Sequence, residues 1–361
     1  MPKHKQPLLG AAACQLFELL TVKTENISAI EHGKQLSNPL TRESVMSAYH
    51  DVFNGEGKLE GKVHLEVDPS VTPVKVPLRK LPIAVKDKVK DELDNMVRRG
   101  IISPMDKPSS WISALLCVIK QSGSVRICLD PRNLNRALKR NHYPMVTLDE
   151  ILPELQNAKI FSTVDTKDGF WHIELDEESS DLTVFETPFG RFKFNRLAFG
   201  LSVSPEEFQR RLNEALSGLQ GIAVIADDIL IYGSGDSVEE AKRDHDLHLI
   251  ALLNRCRQKG ICLNPNKFKL HLSSGRYLGH LFTDNGLQID PQKVEAIDGM
   301  PHPTDVAGVQ RICGVVNYLA RFVPRLSEKL EPLRALTRPD NEFVWNADVH
   351  GKAFEEVKQL L

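Results

Sequence analysis

Two adjacent aspartates lie between two apolar runs in the middle of the chain. Asp227 and Asp228 interrupt the segment VIADDILIY, whose β-forming flanks predict two buried strands joined by a two-residue loop at the aspartates. An Asp-Asp pair is ordinarily a solvated turn, but strands this apolar should hold the pair at the end of a sheet. Two carboxylates about 4 Å apart repel by about 4 kcal/mol at an effective dielectric of 20, so such a pair calls for cations.

A third carboxylate, Asp165, ends the apolar run AKIFSTVD, which also predicts a strand. If this strand lies beside the hairpin, the three aspartates converge at one end of a sheet. Carboxylates without nearby His or Cys suit Mg²⁺ or Mn²⁺ rather than zinc. Two such ions about 3.5–4 Å apart bind the attacking and leaving oxygens in phosphoryl displacement. The residues therefore predict two-ion nucleotidyl transfer.

Strand and helix patterns surround these aspartates. The proline-rich stretch at residues 70–85 should be extended, and the chain after about residue 290 should be mostly helical. The patterns between them predict an amphipathic helix at IAVKDKVKDELDNMVRRGII, a hairpin of ISALLCVIK and VRICLD, a strand at FWHIEL, and a helix at SPEEFQRRLNEAL capped by Ser204.

Composition is that of a water-soluble globular protein of two or three domains. The chain has 361 residues, of which 41% are hydrophobic and 26% charged. It shows neither a secretory signal nor an apolar run of about 18 residues that could span a membrane. Six scattered cysteines without a CxxC pair indicate reduced thiols and argue against a cysteine-based zinc site. A cytoplasmic or nuclear protein that is not secreted is expected.

The net charge of -2 does not itself favour nucleic acid, but the charge distribution is uneven. Between Lys75 and Arg140 there are roughly fifteen Lys and Arg residues against about six Asp and Glu. This local excess suits a polyanion, and a solvated helical face explains it equally well.

From about residue 45 to residue 361, the chain resembles the reverse transcriptase region of a gypsy-type LTR retrotransposon Pol polyprotein. Seven motifs occur in the order found in that family: IISPMDKPSSWISALLCVIKQSGSVRICLDPRNLNRALKRNHYPM, FSTVDTKDGFWHIELDEES, TPFGRFKFNRLAFGLSVSPEEFQRRL, IADD, KGICLNPNKFKL with RYLGH, GVVNYLARFVPRLSEKLEPLRALT, and FVWNADVHGKAFEEVKQLL.

The resemblance implies an α+β right-hand polymerase with fingers, palm and thumb, whose antiparallel palm sheet is backed by helices. It implies five segments: a remnant resembling the tail of an aspartic protease at 1–35, a linker or extended arm at 36–84, fingers at 85–150, a palm interleaved with part of the fingers at 151–290, and a helical thumb with the start of a connector at 291–361. No protease motif and no RNase H carboxylate set are visible.

The resemblance also assigns roles to single residues. Asp165, Asp227 and Asp228 would be both the catalytic residues and the ligands of two Mg²⁺ or Mn²⁺ ions. Phe170 would be the steric gate that excludes a 2′-hydroxyl, although a core aromatic is the alternative. Lys267 would donate a proton to pyrophosphate, although a solvated lysine fits equally well.

Four further residues would contact the nucleotide. Arg126 and Lys120 match the fingers positions that bind its phosphates, although both could be surface residues of a hairpin. Phe199 and Gly200 match the loop behind the nascent base pair. The chain departs from the family at Ile225, which replaces a primer-contacting tyrosine, at Ala198 in place of proline, and at the pair Trp171 and His172 in place of His-Gln.

The expected activity is that of an RNA-directed DNA polymerase, a nucleotidyltransferase that adds dNTPs to a primer on an RNA or DNA template. The implied protein partners are a second copy of the chain and the polyprotein neighbours protease, RNase H and integrase. A catalytically inactive or domesticated remnant that binds nucleic acid or protein is the alternative, and an RNA-templated RNA polymerase is another.

Overall fold

The structure, a computed structural model, describes residues 40–119, 123, 125–144, 147–277, 280–283, 286–289, 291–338 and 341–360. The protease-like segment at 1–35 and Lys120 lie outside these residues. In the described part of the chain, no helix combines the length and the apolar character needed to cross a bilayer. The cysteines in that part are free thiols.

Helices and strands alternate up to about residue 290, and helices follow. The helices are α1 (Arg42–Ala48), α2 (His50–Phe53), α3 (Ile83–Arg98), α4 (Arg132–Ala137), α5 (Leu148–Ile151), α6 (Glu177–Leu182), α7 (Ser204–Leu216), α8 (Val238–Lys259), α9 (Pro291–Asp298), α10 (Val306–Tyr318), α11 (Leu326–Ala335) and α12 (Lys352–Gln359). The strands are β1 (Lys62–Val63), β2 (Ile102–Pro104), β3 (Ala114–Ile119), β4 (Val125–Asp130), β5 (Ala158–Asp165), β6 (Glu174–Leu175), β7 (Phe185–Thr187), β8 (Gly190–Phe194), β9 (Ile222–Ile225), β10 (Asp228–Ser234), β11 (Lys269–Leu272), β12 (Ser274–Tyr277), β13 (His280–Thr283) and β14 (Gly286–Ile289).

A four-stranded antiparallel sheet in the order β11-β5-β10-β9 carries two of the three aspartates. Its two central strands are buried on both faces, because α8 packs on one face and a separate apolar cluster around Phe161 and Leu230 fills the other. Burial of both faces explains why β5 and β10 read as nearly continuous apolar runs. The predicted hairpin of β3 and β4 is also present, with all six residue pairs in antiparallel register.

The predicted strand at FWHIEL is wrong. Residues Gly169–His172 form a 3₁₀ turn, and only Glu174–Leu175 is a strand. The turn begins after Asp168, whose φ of 52° is left-handed. His172 is fully buried and closes the turn by donating from Nδ1 to the Gly169 carbonyl oxygen at 3.0 Å, while its Nε2 accepts the Cys262 N–H at 3.0 Å. The local apolar pattern contains no information about the hydrogen bond between His172 and Cys262, which is 90 positions away.

The predicted cap of α7 is also wrong. Ser204 is the first residue inside the helix rather than its cap, and its buried hydroxyl donates to the Ala198 carbonyl oxygen at 2.7 Å. Val203 occupies the cap position without a side-chain hydrogen bond, and Pro205, the second residue of the helix, is suited to the first turn. By contrast, α10 does begin with a side-chain cap, since the Asp305 side chain accepts the Gly308 N–H.

The stretch expected as a linker at 36–84 contains more structure than an extended arm. Helices α1 and α2 lie within it, and Val45, Val52 and Phe53 are buried in the main core. The proline-rich part beyond residue 70 is extended, as predicted, and pairs with the chain at Ile112 through two backbone hydrogen bonds of 2.9 and 3.2 Å. The C-terminal helices form a further core around Val309, Ile312 and Val316.

Candidate active site

The register of the central sheet brings Asp165 and Asp228 together. Asp228 is the first residue of β10 and lies directly opposite Asp165, the last residue of β5. Directly opposed residues of an antiparallel pair project from the same face with their Cβ atoms about 4.5–5.5 Å apart. The loop between β9 and β10 consists of Ala226 and Asp227, one position earlier than predicted. The Asp227 carbonyl oxygen accepts the Thr166 N–H at 2.9 Å, which joins this loop to the end of β5.

A buried glutamine holds the loop in its unusual conformation. Ala226 has a φ of 55°, a left-handed value that costs a non-glycine residue about 1–2 kcal/mol. Gln209 on α7 is fully buried, and its Oε1 accepts the Ala226 N–H. Its Nε2 donates to Asn213 Oδ1 at 2.8 Å and lies 3.4 Å from the Val224 carbonyl oxygen. Gln209 therefore orients the loop that carries Asp227.

Sequence reasoning missed Gln209, although a signal was present. The residue shares the buried stripe of α7 with Leu212 and Leu216, at positions i, i+3 and i+7. A glutamine on an apolar stripe must find hydrogen-bond partners inside the protein. That requirement indicates a polar contact in the core, but the sequence alone does not identify the partner.

Asp165 is nearly buried, and only one of its two carboxylate oxygens has a partner among the described residues. Its side chain is 5% exposed, and Oδ2 forms an ion pair with Lys267 Nζ. Oδ1 has no hydrogen-bond partner among the residues that the structure describes. The pKa of Asp165 is raised, first by desolvation on burial and also by the charges of Asp227 and Asp228, against the opposing effect of Lys267.

Burial and the nearby charges also shift the pKa values of Asp228 and Lys267. The pKa of Asp228 is raised, first by desolvation in the pocket and then by the charge of Asp227, against the opposing effect of Lys267. Burial disfavours the Lys267 ammonium, but its hydrogen bond to Asp165 and the nearby carboxylate charges outweigh burial and raise its pKa. The site thus holds an excess of negative charge that a single lysine does not balance.

These residues fit divalent cations that prefer oxygen ligands. The aspartates supply carboxylate oxygens only, and Asp165 Oδ1 is a buried acceptor without a donor. An open pocket of about 220 Å³ reaches Asp165 and Asp228 and is also lined by Asn266 and Lys267. Among the described residues, one group of three possible ligand atoms lies within 4.8 Å of one another, and it is not this group. The carboxylate oxygens of the three aspartates are farther apart than that.

The structure brings three of the expected nucleotide-contacting residues together. The Phe170 ring is half-buried and packs against Phe199 with ring centroids 4.8 Å apart and against Phe208 at 5.7 Å. The exposed Arg126 guanidinium on β4 lies over the Phe199 ring, 5.2 Å from its centroid. A planar cation over an aromatic pair forms a surface on which a base and its phosphates could lie.

Gly200 allows the loop after Phe199 to lie against β4. The Phe199 carbonyl oxygen accepts the Leu129 N–H at 3.0 Å. Gly200 has a φ of 108°, and a Cβ at this position would stand 2.2 Å from the Leu129 carbonyl oxygen. The approach is therefore open only to glycine.

The departures from the family pattern have distinct surroundings. Ile225 is buried in the apolar cluster behind the sheet, so its side chain packs rather than reaching outward. Trp171 is buried beneath Arg99, whose guanidinium lies 4.9 Å from the indole centroid. Burial lowers the pKa of His172 to about 4, so the neutral ring persists across the neutral pH range.

Comparisons with known proteins show what this chain is similar to. Residues 118–282 match the family model described as "Reverse transcriptase (RNA-dependent DNA polymerase)". The chain is 29% identical over 335 residues to the Retrovirus-related Pol polyprotein from transposon 412 of Drosophila melanogaster, covering 88% of this chain and 26% of that protein. It is 30% identical over 288 residues to the Enzymatic polyprotein of Cauliflower mosaic virus (strain Strasbourg), covering 78% and 41%.

Solved structures show the same fold. A foamy viral protease-reverse transcriptase in complex with double-stranded DNA has a TM-score of 0.78 at 22% identity, covering 99% of this chain and 62% of that one. A foamy viral protease-reverse transcriptase in complex with an RNA/DNA hybrid has a TM-score of 0.74 at 23% identity, covering 98% and 47%. These likenesses confirm the predicted right-hand polymerase fold. The chain spans about a quarter to two fifths of the length of the two relatives named above.

Proposed function

We propose that this chain is the polymerase region of a gypsy-type LTR retrotransposon Pol polyprotein. It adds dNTPs to a primer 3′-hydroxyl and copies both RNA and DNA templates. The observation that carries the proposal is the cross-strand register of Asp165 and Asp228 beside the loop residue Asp227. The matches to a reverse transcriptase model and to Pol polyproteins support it.

Asp165, Asp227 and Asp228 would hold two Mg²⁺ or Mn²⁺ ions. When bound, these ions lower the pKa of the primer hydroxyl and neutralise the departing pyrophosphate. Lys267 carries its proton at neutral pH, as a lysine ordinarily does, and Asp165 with the nearby carboxylates raises its pKa further against the effect of burial. With a side chain that is 59% exposed, it can leave Asp165 and donate this proton to pyrophosphate.

The aromatic group of Phe170 and Phe199 would bind the sugar and base of the incoming nucleotide. The Phe170 ring is braced by Phe208, so it cannot retreat from an added 2′-hydroxyl without disturbing the core. Arg126 would contact the phosphates from above. Lys120 belongs to the same proposal through the family resemblance alone.

Template and primer would bind mainly through their backbones, because a polymerase copies any sequence. Exposed basic residues on α3, among them Lys86 and Lys90, support this contact. Backbone binding predicts an affinity that falls steeply as salt increases. Dimerisation, the polyprotein neighbours protease, RNase H and integrase, and the division at 84, 150 and 290 into arm, fingers, palm and thumb remain parts of the proposal.

The test is incorporation of dTTP on poly(rA)/oligo(dT) by the purified chain, with and without Mg²⁺. We expect Mg²⁺-dependent incorporation that Asp227→Asn abolishes while duplex binding is kept. Asp236→Asn is the matched control, because Asp236 is exposed just beyond the far end of β10. Near-parental incorporation by Asp227→Asn would refute the metal assignment.

The alternative hypothesis of a binding-only remnant makes a different prediction in the same assay. Such a protein would bind the duplex but incorporate no dTTP with either Mg²⁺ or Mn²⁺. Comparing dNTP with rNTP use by an active chain separates a reverse transcriptase from an RNA polymerase.

A further inference from the structure

A second group of ligand atoms lies between α8 and the central sheet, separate from the three aspartates. His245 and Asp246 are on α8, and His271 is in β11. Each offers one ligand atom, and these atoms all lie within 4.8 Å of one another. We propose that His245, Asp246 and His271 bind one transition-metal dication of the Zn²⁺ type.

The donor set selects the class of metal. Two imidazoles and one carboxylate, with water in the fourth position, are typical ligands of tetrahedral Zn²⁺. Mg²⁺ prefers oxygen ligands, so it would favour the three aspartates instead. A Ser-His-Asp hydrolase is excluded as an explanation of the cluster, because Ser162, which contacts His245, is fully buried and no substrate reaches it.

The cluster is buried on one side and partly open to solvent on the other. His245 is fully buried against the central sheet, where its Nε2 lies 2.8 Å from Ser162 Oγ. The Asp246 carboxylate already lies within hydrogen-bond distance of both imidazoles. The side chains of His271 and Asp246 are 16% and 18% exposed, so an ion can enter from one side.

Without a metal, Asp246 Oδ1 accepts from His245 Nδ1 at 2.9 Å and from His271 Nε2 at 2.6 Å. A metal replaces both protons, and each ring carries its proton on the other nitrogen, so none is lost. His245 Nε2 then donates to Ser162 Oγ, already 2.8 Å away, and this hydrogen bond holds the ring with Nδ1 toward the metal. Tetrahedral ligands with bonds of about 2.0 Å lie about 3.3 Å apart, so shifts below about 1 Å suffice.

The bound ion would join α8 to β11, and Ser162 would link both of them to β5. His271 has a left-handed φ of 53° at an irregularity between Lys269 and Leu272, where β11 pairs with β5. Its N–H donates to Ser162 Oγ on β5 at 3.1 Å. Ser162 lies three residues before Asp165, and Lys267 precedes β11 by two residues. The ion would therefore stabilise β5, which ends in Asp165, and β11, which follows Lys267. These two residues form the ion pair of the active site.

Cobalt spectroscopy of the full chain tests the proposal without any activity measurement. The metal-stripped protein is titrated with Co²⁺ in excess Mg²⁺, which occupies the three aspartates. We expect one equivalent of Co²⁺ to produce the intense visible bands of tetrahedral coordination, and Zn²⁺ to displace it. Weak octahedral bands, or no bands, would overturn the proposal.

Two variants and one control locate the site. His271→Asn keeps a residue that tolerates the left-handed conformation, and Asp246→Asn is a second variant if the first fails to fold. Both should lose the tetrahedral bands, whereas His248→Gln, one turn along α8, should keep them. Bands that persist in a folded His271→Asn or Asp246→Asn protein would place the metal elsewhere and refute the assignment.

Discussion

Replacing Gln209 with methionine removes the acceptor of the Ala226 N–H and keeps a side chain of similar length. The Gln209 amide is fully buried and connects the loop before Asp227 with Asn213 on its own helix. Methionine fills the same space but offers no comparable acceptor. The variant therefore tests whether this hydrogen bond, rather than packing, holds the aspartate loop.

The magnitude follows from two terms that both favour relaxation of the loop. A backbone N–H that loses its partner inside the protein costs about 1–3 kcal/mol. The left-handed conformation of Ala226 costs about 1–2 kcal/mol more, so the loop has a reason to relax once its acceptor is gone. A loss of 1–3 kcal/mol reduces the correctly arranged fraction by about 5- to 150-fold. Because Ala226 is only half-buried, we expect about a tenfold loss of kcat.

Primer extension on poly(rA)/oligo(dT) measures kcat and the half-saturating Mg²⁺ concentration, and a binding assay measures duplex affinity. For Gln209→Met we expect kcat to fall about tenfold and the Mg²⁺ requirement to rise, while duplex affinity is unchanged. Asn213→Ala is the control, because it removes the other partner of Gln209 and leaves the contact with Ala226 intact. A Gln209→Met kcat within about twofold of the parent value would refute the role of the hydrogen bond.

Three further variants test other parts of the site. Phe170→Val removes a ring whose centroid lies 4.8 Å from that of Phe199. The use of rNTPs relative to dNTPs should therefore rise at least tenfold in competition assays. Unchanged sugar discrimination would reject Phe170 as the steric gate. Gly200→Ala places a methyl group 2.2 Å from the Leu129 carbonyl oxygen at a φ of 108°. We expect thermal melting to show a decrease of at least about 2 kcal/mol in the free energy of unfolding. A variant as stable as the parent would contradict the close approach of this loop to β4. Asp228→Asn should raise the metal-free melting temperature at neutral pH, because a carboxyl with a raised folded pKa loses its stabilising contribution as pH rises through that pKa. The gain should vanish in acid, where the parent is protonated too, and lower stability of the variant at neutral pH would contradict the pKa direction.

Local patterns in the sequence predict the elements whose signals are local. The apolar runs that end in Asp165 and begin after Asp227 form strands, as their β-branched composition indicates. The hairpin of β3 and β4 and helix α3 follow from alternation, helical period and the stop at Gly100, where φ is 69°. The acids themselves, with no neighbouring His or Cys, already indicate hard cations and phosphoryl chemistry.

Other features depend on residues that are distant in the chain. The pairing of Asp165 with Asp228 requires one register of β5 on β10, and burial of both strands selects it because a one-residue slip would turn every side chain to the other face. The 3₁₀ turn at Gly169–His172 depends on the contact of His172 with Cys262, and FWHIEL alone reads as a strand.

The sequence by itself determined which residues could do chemistry and which segments could carry them, because residue type and local period are readable one segment at a time. Only the tertiary structure decided which partners they meet: Lys267 for Asp165, Gln209 for the aspartate loop, and His271 for Asp246. The reason is physical. Buried polar groups must be paired, and the partner is set by packing between elements rather than by the adjacent residues.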